Sequence, residues 1–215
     1  MARRRVAVLI SGRGSNLQSL LDRAAQPDSS AAITVVISNE PTAFGLERAR
    51  KVGIPTLVVP HRGIAGRAQF EGEVDRLLRA SGIEFVCLAG FMRILSPEFV
   101  ELWRDRLLNI HPSLLPAFRG LHTHARALAA GVRVHGCTVH LVRKELDDGP
   151  ILVQGLVPVP PGDDEVALGA RVLEVEHRCY PLALEQLASG ALTIEGGQVR
   201  GAGPSLVLHP SLESL

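Results

Sequence analysis

Lysine is nearly missing from this 215-residue chain: only Lys51 and Lys144 occur among 23 basic residues, and the rest are arginine. The arginines are dispersed, and 22 acidic side chains leave a formal net charge of +1 and a pI near 7.9. That balance creates no field for non-specific nucleic-acid binding, so no nucleic-acid partner is expected. Cysteine is scarce too. Cys87, Cys137 and Cys179 are far apart, odd in number and free of any C-x-x-C pair, which argues against a disulfide framework or a zinc ribbon. Cys87, inside "FVCLAGF", reads as a small core residue, and the compartment expected is a reducing cytoplasm. No stretch approaches the ~20 apolar residues of a membrane span, so no membrane partner is expected. "MARRRVAVLI" has the look of a signal peptide, yet its apolar run stops at Ser11, too short for an h-region. Repeats, low-complexity tracts and linkers are also lacking, and a hydrophobic content of 46% excludes a largely disordered chain. The expectation is a single domain over residues 1–202, with residues 203–215 a loosely ordered tail.

What is present is an alternation. Short β-branched runs ("RVAVLIS", "AITVVIS", "PTLVVP", "EFVCLAG", "LLNIHP") alternate with helical stretches such as "NLQSLLDRAA", "FGLERARKVG" and "QFEGEVDRLLRASG". The strands are continuous apolar runs, the pattern of strands covered by helices on both faces. In the third helix Phe70, Val74, Leu77 and Leu78 form one core-facing stripe. Gly53 and Gly82 stand just past helix ends, where a left-handed cap is expected. This βαβ signature predicts an α/β fold with a Rossmann-like, mostly parallel sheet. The pattern then changes. "HGCTVHLV" and "PILVQGLVPV", on either side of the turn "LDDGP", read as antiparallel strands. "DEVALGARVLEVEHRCYPLALEQLASG" reads as a long helix that Pro181 kinks or divides, and "ALTIEGGQV" as a hairpin around Gly196 and Gly197.

Two polar features carry chemistry. The first is "ISGRGSNLQ", a strand running into Gly12-Arg13-Gly14-Ser15-Asn16 and then a helix starting near Ser15 or Asn16. Backbone N–H groups at a helix N-terminus bind anions, and glycines allow a phosphate to approach closely. Neither the dinucleotide fingerprint nor the Walker pattern is completed, so the loop is either a monophosphate site or a turn capped by Ser15 or Asn16. Arg13 either assists a phosphate or faces water. The second feature is "LLNIHPSLLPAFRGLHTH". Asn109 and His111, two apart at the end of an apolar strand, share a face at the strand's carboxyl end, where open α/β sheets bind ligands. His111 alone could be a satisfied core histidine. With Asn109 and the acidic "LDDGP" turn it makes a set of amide donor, group titrating near neutrality and orienting carboxylate. His111, His122, His124, His135 and His140 crowd one segment, but H-x-H without nearby Glu or Cys fits no zinc pattern, and no metal is expected. His122 and His124 read as a polar substrate wall or a solvent loop.

Taken together, "ISGRGSNLQ", "FGLERA", "VCLAGFMRILSPEFV", "LLNIHPSLLPAFRGLHTH", "HGCTVHLV", "LDDGPILVQ" and "RVLEVEHRCYP" resemble the folate-dependent formyltransferases in order and spacing. "GRGSNL" favours the branch acting on glycinamide ribonucleotide. The resemblance implies a Rossmann-like formyltransferase fold with antiparallel C-terminal strands. It also implies formyl transfer from 10-formyltetrahydrofolate, a cosubstrate, to the amine of glycinamide ribonucleotide in purine biosynthesis. Asn109, His111 and Asp147 match the family's catalytic trio. Gly14, Ser15 and Asn16 match its 5′-phosphate site, and Glu176 its ribose contact. Met92, Arg93, Ile94 and Leu95, with Arg143, Lys144, Glu145, Leu146 and Asp147, look like walls of the pterin pocket. Arg67 resembles the position approaching the folate tail. Asp148 stands where many relatives have glycine, and places a second carboxylate beside Asp147. The implied partners are small molecules, with the chain a monomer or weak homodimer. The rival readings are a formyltetrahydrofolate hydrolase, which uses the same trio with water as acceptor, and a non-catalytic nucleotide-binding module.

Overall fold

The structure is a computed structural model that describes residues 2–61, 66–203 and 205–212. The chain divides into two compact units, Met1–Asn109 and Ile110–Leu215. The first unit follows the alternation read from sequence: β1 (Arg4–Ile10), α1 (Ser15–Ala24), β2 (Ala31–Ser38), α2 (Phe44–Lys51), β3 (Thr56–Val58), α3 (Arg67–Ala80), β4 (Phe85–Leu88), α4 (Pro97–Leu102) and β5 (Leu107–His111). β1 pairs in parallel with both β2 and β4, β3 pairs with β2, and β4 pairs with β5 through Asn109. The path from β1 to β2 to β3 thus runs one way, and β4 returns to the opposite side of β1. That reversal opens a crevice at the carboxyl ends of the strands. Val6 to Ile10 are all fully buried, so both faces of β1 are covered and alternation would have been impossible. In α3, Phe70, Val74 and Leu78 are buried as the stripe requires, with Leu77 half-buried. Glu71, also buried there, accepts from the Ser96 amide at 2.7 Å and from the Ser96 hydroxyl. Ser96 in turn caps α4.

In the second unit come α5 (Thr123–Ala129), β6 (Val134–Leu141), β7 (Ile151–Pro158), α6 (Glu165–Ser189), β8 (Leu192–Glu195), β9 (Gln198–Gly201) and β10 (Leu206–Leu208). β6 and β7 are antiparallel, β8 and β9 form the expected hairpin, and β10 joins β7 in parallel. α6 is held at its start by Asp164, whose side chain accepts from the Ala167 amide at 2.7 Å. The helix is not divided at Pro181 but runs on to Ser189. Proline deletes one backbone hydrogen bond, yet Cys179, Tyr180, Ala183 and Leu184 around it are buried, and that packing outweighs the loss. β10 lies within the segment read as a loose tail; its amide partners on β7 and the burial of Val207 supply what the local pattern did not announce.

Candidate active site

In the first unit the loop after β1 is built by backbone contacts. Gly14 is the N-cap of α1, with a left-handed φ of 71°, and no side chain caps the helix, so of the two alternatives left by the sequence the turn capped by Ser15 or Asn16 is not the one formed. A Cβ on Gly14 would lie 2.7 Å from the Cα of Gly45, so only glycine lets the loop rest on the start of α2. The Gly45 amide donates to the Gly12 carbonyl at 3.0 Å, and Arg48 Nε donates to the Arg13 carbonyl at 2.9 Å. In a trans peptide C=O and N–H point oppositely, so these ties turn the amides of Arg13 and Gly14 away from α2. With no acidic residue in the first turn of α1, this arrangement suits an anion. The Arg13 side chain is exposed and makes no hydrogen bond among the described residues.

Next to this loop lies a cleft of about 580 Å³, lined among others by Ser11, Arg13, Asn39, Glu40, His61 and Arg93. Ser11 Oγ donates to Asn39 Oδ1 at 2.6 Å and accepts from the Met92 amide at 2.9 Å. Met92 and Ile94 are 72% and 69% exposed, an unusual state for large apolar side chains, and Arg93 and Leu95 are half-buried. The Arg93 guanidinium stacks over Phe70 at 5.2 Å. Arg67, exposed, opens α3. Asn109 is half-buried on β5, opposite Leu88 of β4.

The second unit brings His111 and Asp147 together. His111, at the end of β5, is 6% exposed, and its Nδ1 lies 3.4 Å from Asp147 Oδ2. Its Nε2 lies 3.1 Å from the Phe118 carbonyl, which can only accept, so Nε2 carries the proton. Nδ1 is therefore the nitrogen left facing Asp147. Asp147 has a left-handed φ of 51°, and its Oδ2 also accepts from the Gly120 amide at 2.9 Å. Gly149 makes this turn sterically feasible: a Cβ there would lie 1.5 Å from the Leu141 carbonyl oxygen. Asp148 points away to an ion pair with Arg119.

His140 Nε2 stands 3.9 Å from Asp147 Oδ1 while its Nδ1 donates to the Leu141 carbonyl at 3.1 Å. Burial pushes its pKa down to about 4, so at neutral pH it is an uncharged wall beside Asp147. Burial, assisted by His124, holds His135 at about 4 as well, and burial also lowers His124. The His124 and His135 rings meet edge to face at 5.4 Å. His122 is exposed, with a left-handed φ of 56°. Among the described residues no group of three or more His, Cys, Asp or Glu could hold a metal ion. Arg143 is half-buried, Lys144, Glu145 and Leu146 are exposed, and Glu176 is buried on α6. Sequence reasoning missed Phe118 and Gly120, because they act through backbone atoms that no residue type announces.

The sequence pattern of the formyl transferase family matches residues 4–184. Phosphoribosylglycinamide formyltransferase of Escherichia coli (strain K12) is 46% identical over 187 residues, covering 87% of this chain and 88% of that protein. The crystal structure of glycinamide ribonucleotide transformylase 1 from Symbiobacterium toebii superposes with a TM-score of 0.89 at 44% identity, over 94% of this chain and 95% of that one. Formyltetrahydrofolate deformylase from Burkholderia mallei gives a TM-score of 0.85 at 30% identity, over 94% of this chain and 71% of that one. The chain also matches trifunctional purine biosynthetic proteins, at 50% identity for that of Gallus gallus, and spans 20% of that protein's length.

Proposed function

The chain belongs to the formyl transferase family, and from that premise we propose that it transfers the formyl group of 10-formyltetrahydrofolate to the amine of glycinamide ribonucleotide. The observation that carries this reading is the buried His111–Asp147 pair with its tautomer fixed by the Phe118 carbonyl. The 46% identity with the Escherichia coli phosphoribosylglycinamide formyltransferase, along 88% of that protein, directs the pair to this substrate class.

In this reading the substrate amine attacks the formyl carbon, and the former carbonyl oxygen takes up negative charge. Asn109 and protonated His111 donate to that oxygen. His111 Nδ1–H gives its proton to N10 of the departing folate and then takes up the proton that the attacking amine sheds, so the imidazolium is restored. The 3.4 Å separation from Asp147 exceeds the roughly 2.7–2.9 Å of a tight charge-assisted bond. Asp147 thus stabilises the imidazolium without tying up Nδ1, which stays available to substrate. No covalent formyl-enzyme is needed. Gly14, Ser15 and Asn16 hold the 5′-phosphate and Glu176 the ribose hydroxyls. Arg67, Met92 to Leu95 and Arg143 to Leu146 receive the folate. Residues 1–202 act as one formyltransferase domain in a reducing cytoplasm, in keeping with three buried free cysteines.

A deformylase reading is favoured by one observation, the TM-score of 0.85 with the Burkholderia mallei deformylase. One experiment decides. The protein is mixed with glycinamide ribonucleotide and 10-formyltetrahydrofolate, with formylated product followed by mass and folate by absorbance, beside a control lacking acceptor. Formylated product is expected; formate release without acceptor would establish the deformylase instead, and no turnover in either would overturn both.

A further inference from the structure

The segment Phe118-Arg119-Gly120-Leu121 touches both members of the His111–Asp147 pair, and two arginines hold it. Its Phe118 carbonyl receives the His111 Nε2 proton at 3.1 Å, and its Gly120 amide reaches Asp147 Oδ2 at 2.9 Å. Two residues apart in the chain, these backbone groups set the tautomer of one partner and the carboxylate orientation of the other. The turn itself is not a relaxed one. Phe118 and His122 have φ values of 55° and 56°, a region that L side chains rarely adopt and that persists only where the surroundings impose it. The surroundings here are identifiable. From α5, Arg126 Nη1 donates to the Arg119 carbonyl at 2.6 Å and to the Leu121 carbonyl at 3.4 Å. The Arg126 guanidinium also lies over the Phe118 ring, 5.6 Å from its centroid. From the turn, Arg119 pairs with Asp148, next to Asp147 in the chain.

We propose that Arg126 and the Arg119–Asp148 pair are positioning residues for the formyl-transfer step: they lock the 118–121 turn so that its backbone holds His111 and Asp147 in their reacting geometry. This rests on the functional reading above. It also gives Asp148 a role: the second carboxylate anchors the turn and leaves Asp147 to the chemistry. Neither arginine need touch substrate, so both act on the rate of the step and not on substrate affinity.

The test is steady-state kinetics on the full chain with glycinamide ribonucleotide and 10-formyltetrahydrofolate. Arg126→Ala removes two charged hydrogen bonds and a ring contact, and kcat is expected to fall about tenfold with KM unchanged. Arg119→Ala and Asp148→Asn break one exposed ion pair, and each lowers kcat about threefold, with their double variant no worse than either. Arg126→Lys, which keeps a charged donor, restores most of the rate. In an Asp147→Asn background, Arg126→Ala costs clearly less than its tenfold in the otherwise unaltered chain, because the part of its effect that runs through Asp147 is already gone while the part through the Phe118 carbonyl and His111 remains. Should Arg126→Ala fail to fold, Asp148→Asn on the surface carries the same test in the same background. Unchanged kcat in Arg126→Ala and Asp148→Asn overturns the proposal. So does a rise in KM alone, or a loss as large in the Asp147→Asn background as without it. If the unaltered protein transfers no formyl group, it is the functional reading that fails; if it is active while the variants match it, only the positioning role does.

Discussion

The loop after β1, in the first unit, and the turn around Asp147, in the second, are built in opposite ways. The first is backbone against backbone: Gly14 lies on Gly45, the Gly12 carbonyl takes an amide, and the helix start is left without a side-chain cap. The second is a side-chain site whose carboxylate, imidazole and arginines are named residues, held by two turns, before α5 and between β6 and β7, in which the non-glycine residues Phe118, His122 and Asp147 have left-handed φ. A backbone site tolerates most exchanges of chemistry but no added Cβ. A side-chain site tolerates changes of shape better than loss of a charge. The sharpest way to test that contrast is to remove charge from one and add a carbon to the other.

Asp147→Asn should have the largest effect. The amide oxygen can still accept from Gly120, so the turn keeps its shape while the charge beside His111 disappears. A fall in kcat on the order of 10³ is expected, with the thermal midpoint nearly unchanged. An unaltered kcat would remove Asp147 from the chemistry. Next comes acid. His135 and His140 are 1% and 2% exposed, and burial holds both at about 4 against 6.5 for an ordinary histidine. Between those values the unfolded chain binds protons that the folded chain refuses. Stability from these rings is complete above pH 6.5 and is lost as pH falls toward 4, up to about 2–3 kcal/mol for each. Urea midpoints measured from pH 7 to 4 should decline, and His135→Phe should flatten the slope; an equal slope in the variant would place the loss elsewhere.

The contrast also explains what could be read in advance. The parallel alternation, the α3 stripe and the glycine-rich turn are local patterns, and the structure has them. Gly14 was visible as a phosphate-loop glycine, but its contact with Gly45, inside "FGLERA", was not, because residues 31 positions apart carry no sign that they meet. Gly14, rather than Ser15 or Asn16, stands at the N-cap of α1. Pro181 likewise reads as a kink or a division of the helix, and the burial around it, which keeps α6 continuous, has no local sign. Asn109, His111 and Asp147 stand out by residue type and by resemblance, yet the groups that set the geometry of His111 and Asp147 are a carbonyl of Phe118 and an amide of Gly120. Every residue has both groups, so sequence could not single them out. His135 and His140, two of the five histidines that crowd one segment, are buried neutral rings.

Two smaller effects probe the backbone side. Gly14→Ala forces a carbon to within 2.7 Å of the Gly45 Cα and a left-handed φ on an L residue. A stability loss of about 1–3 kcal/mol is expected, together with a raised KM for glycinamide ribonucleotide. A KM equal to the wild-type value would mean that the loop does not hold the phosphate. Arg48→Ala is milder, because it withdraws a donor from a carbonyl that water can reach. Arg48 ties the Arg13 carbonyl at 2.9 Å and Gln18 Oε1 at 3.3 Å, while the Gly45 amide still holds the Gly12 carbonyl. The loop keeps one of its two anchors, so KM for the ribonucleotide should rise by about threefold to tenfold, equivalent to roughly 0.5–1.5 kcal/mol, with kcat unchanged. A drop in kcat instead would mean that the loop takes part in the reacting geometry, and the division between a backbone site that binds and a side-chain site that reacts would fall.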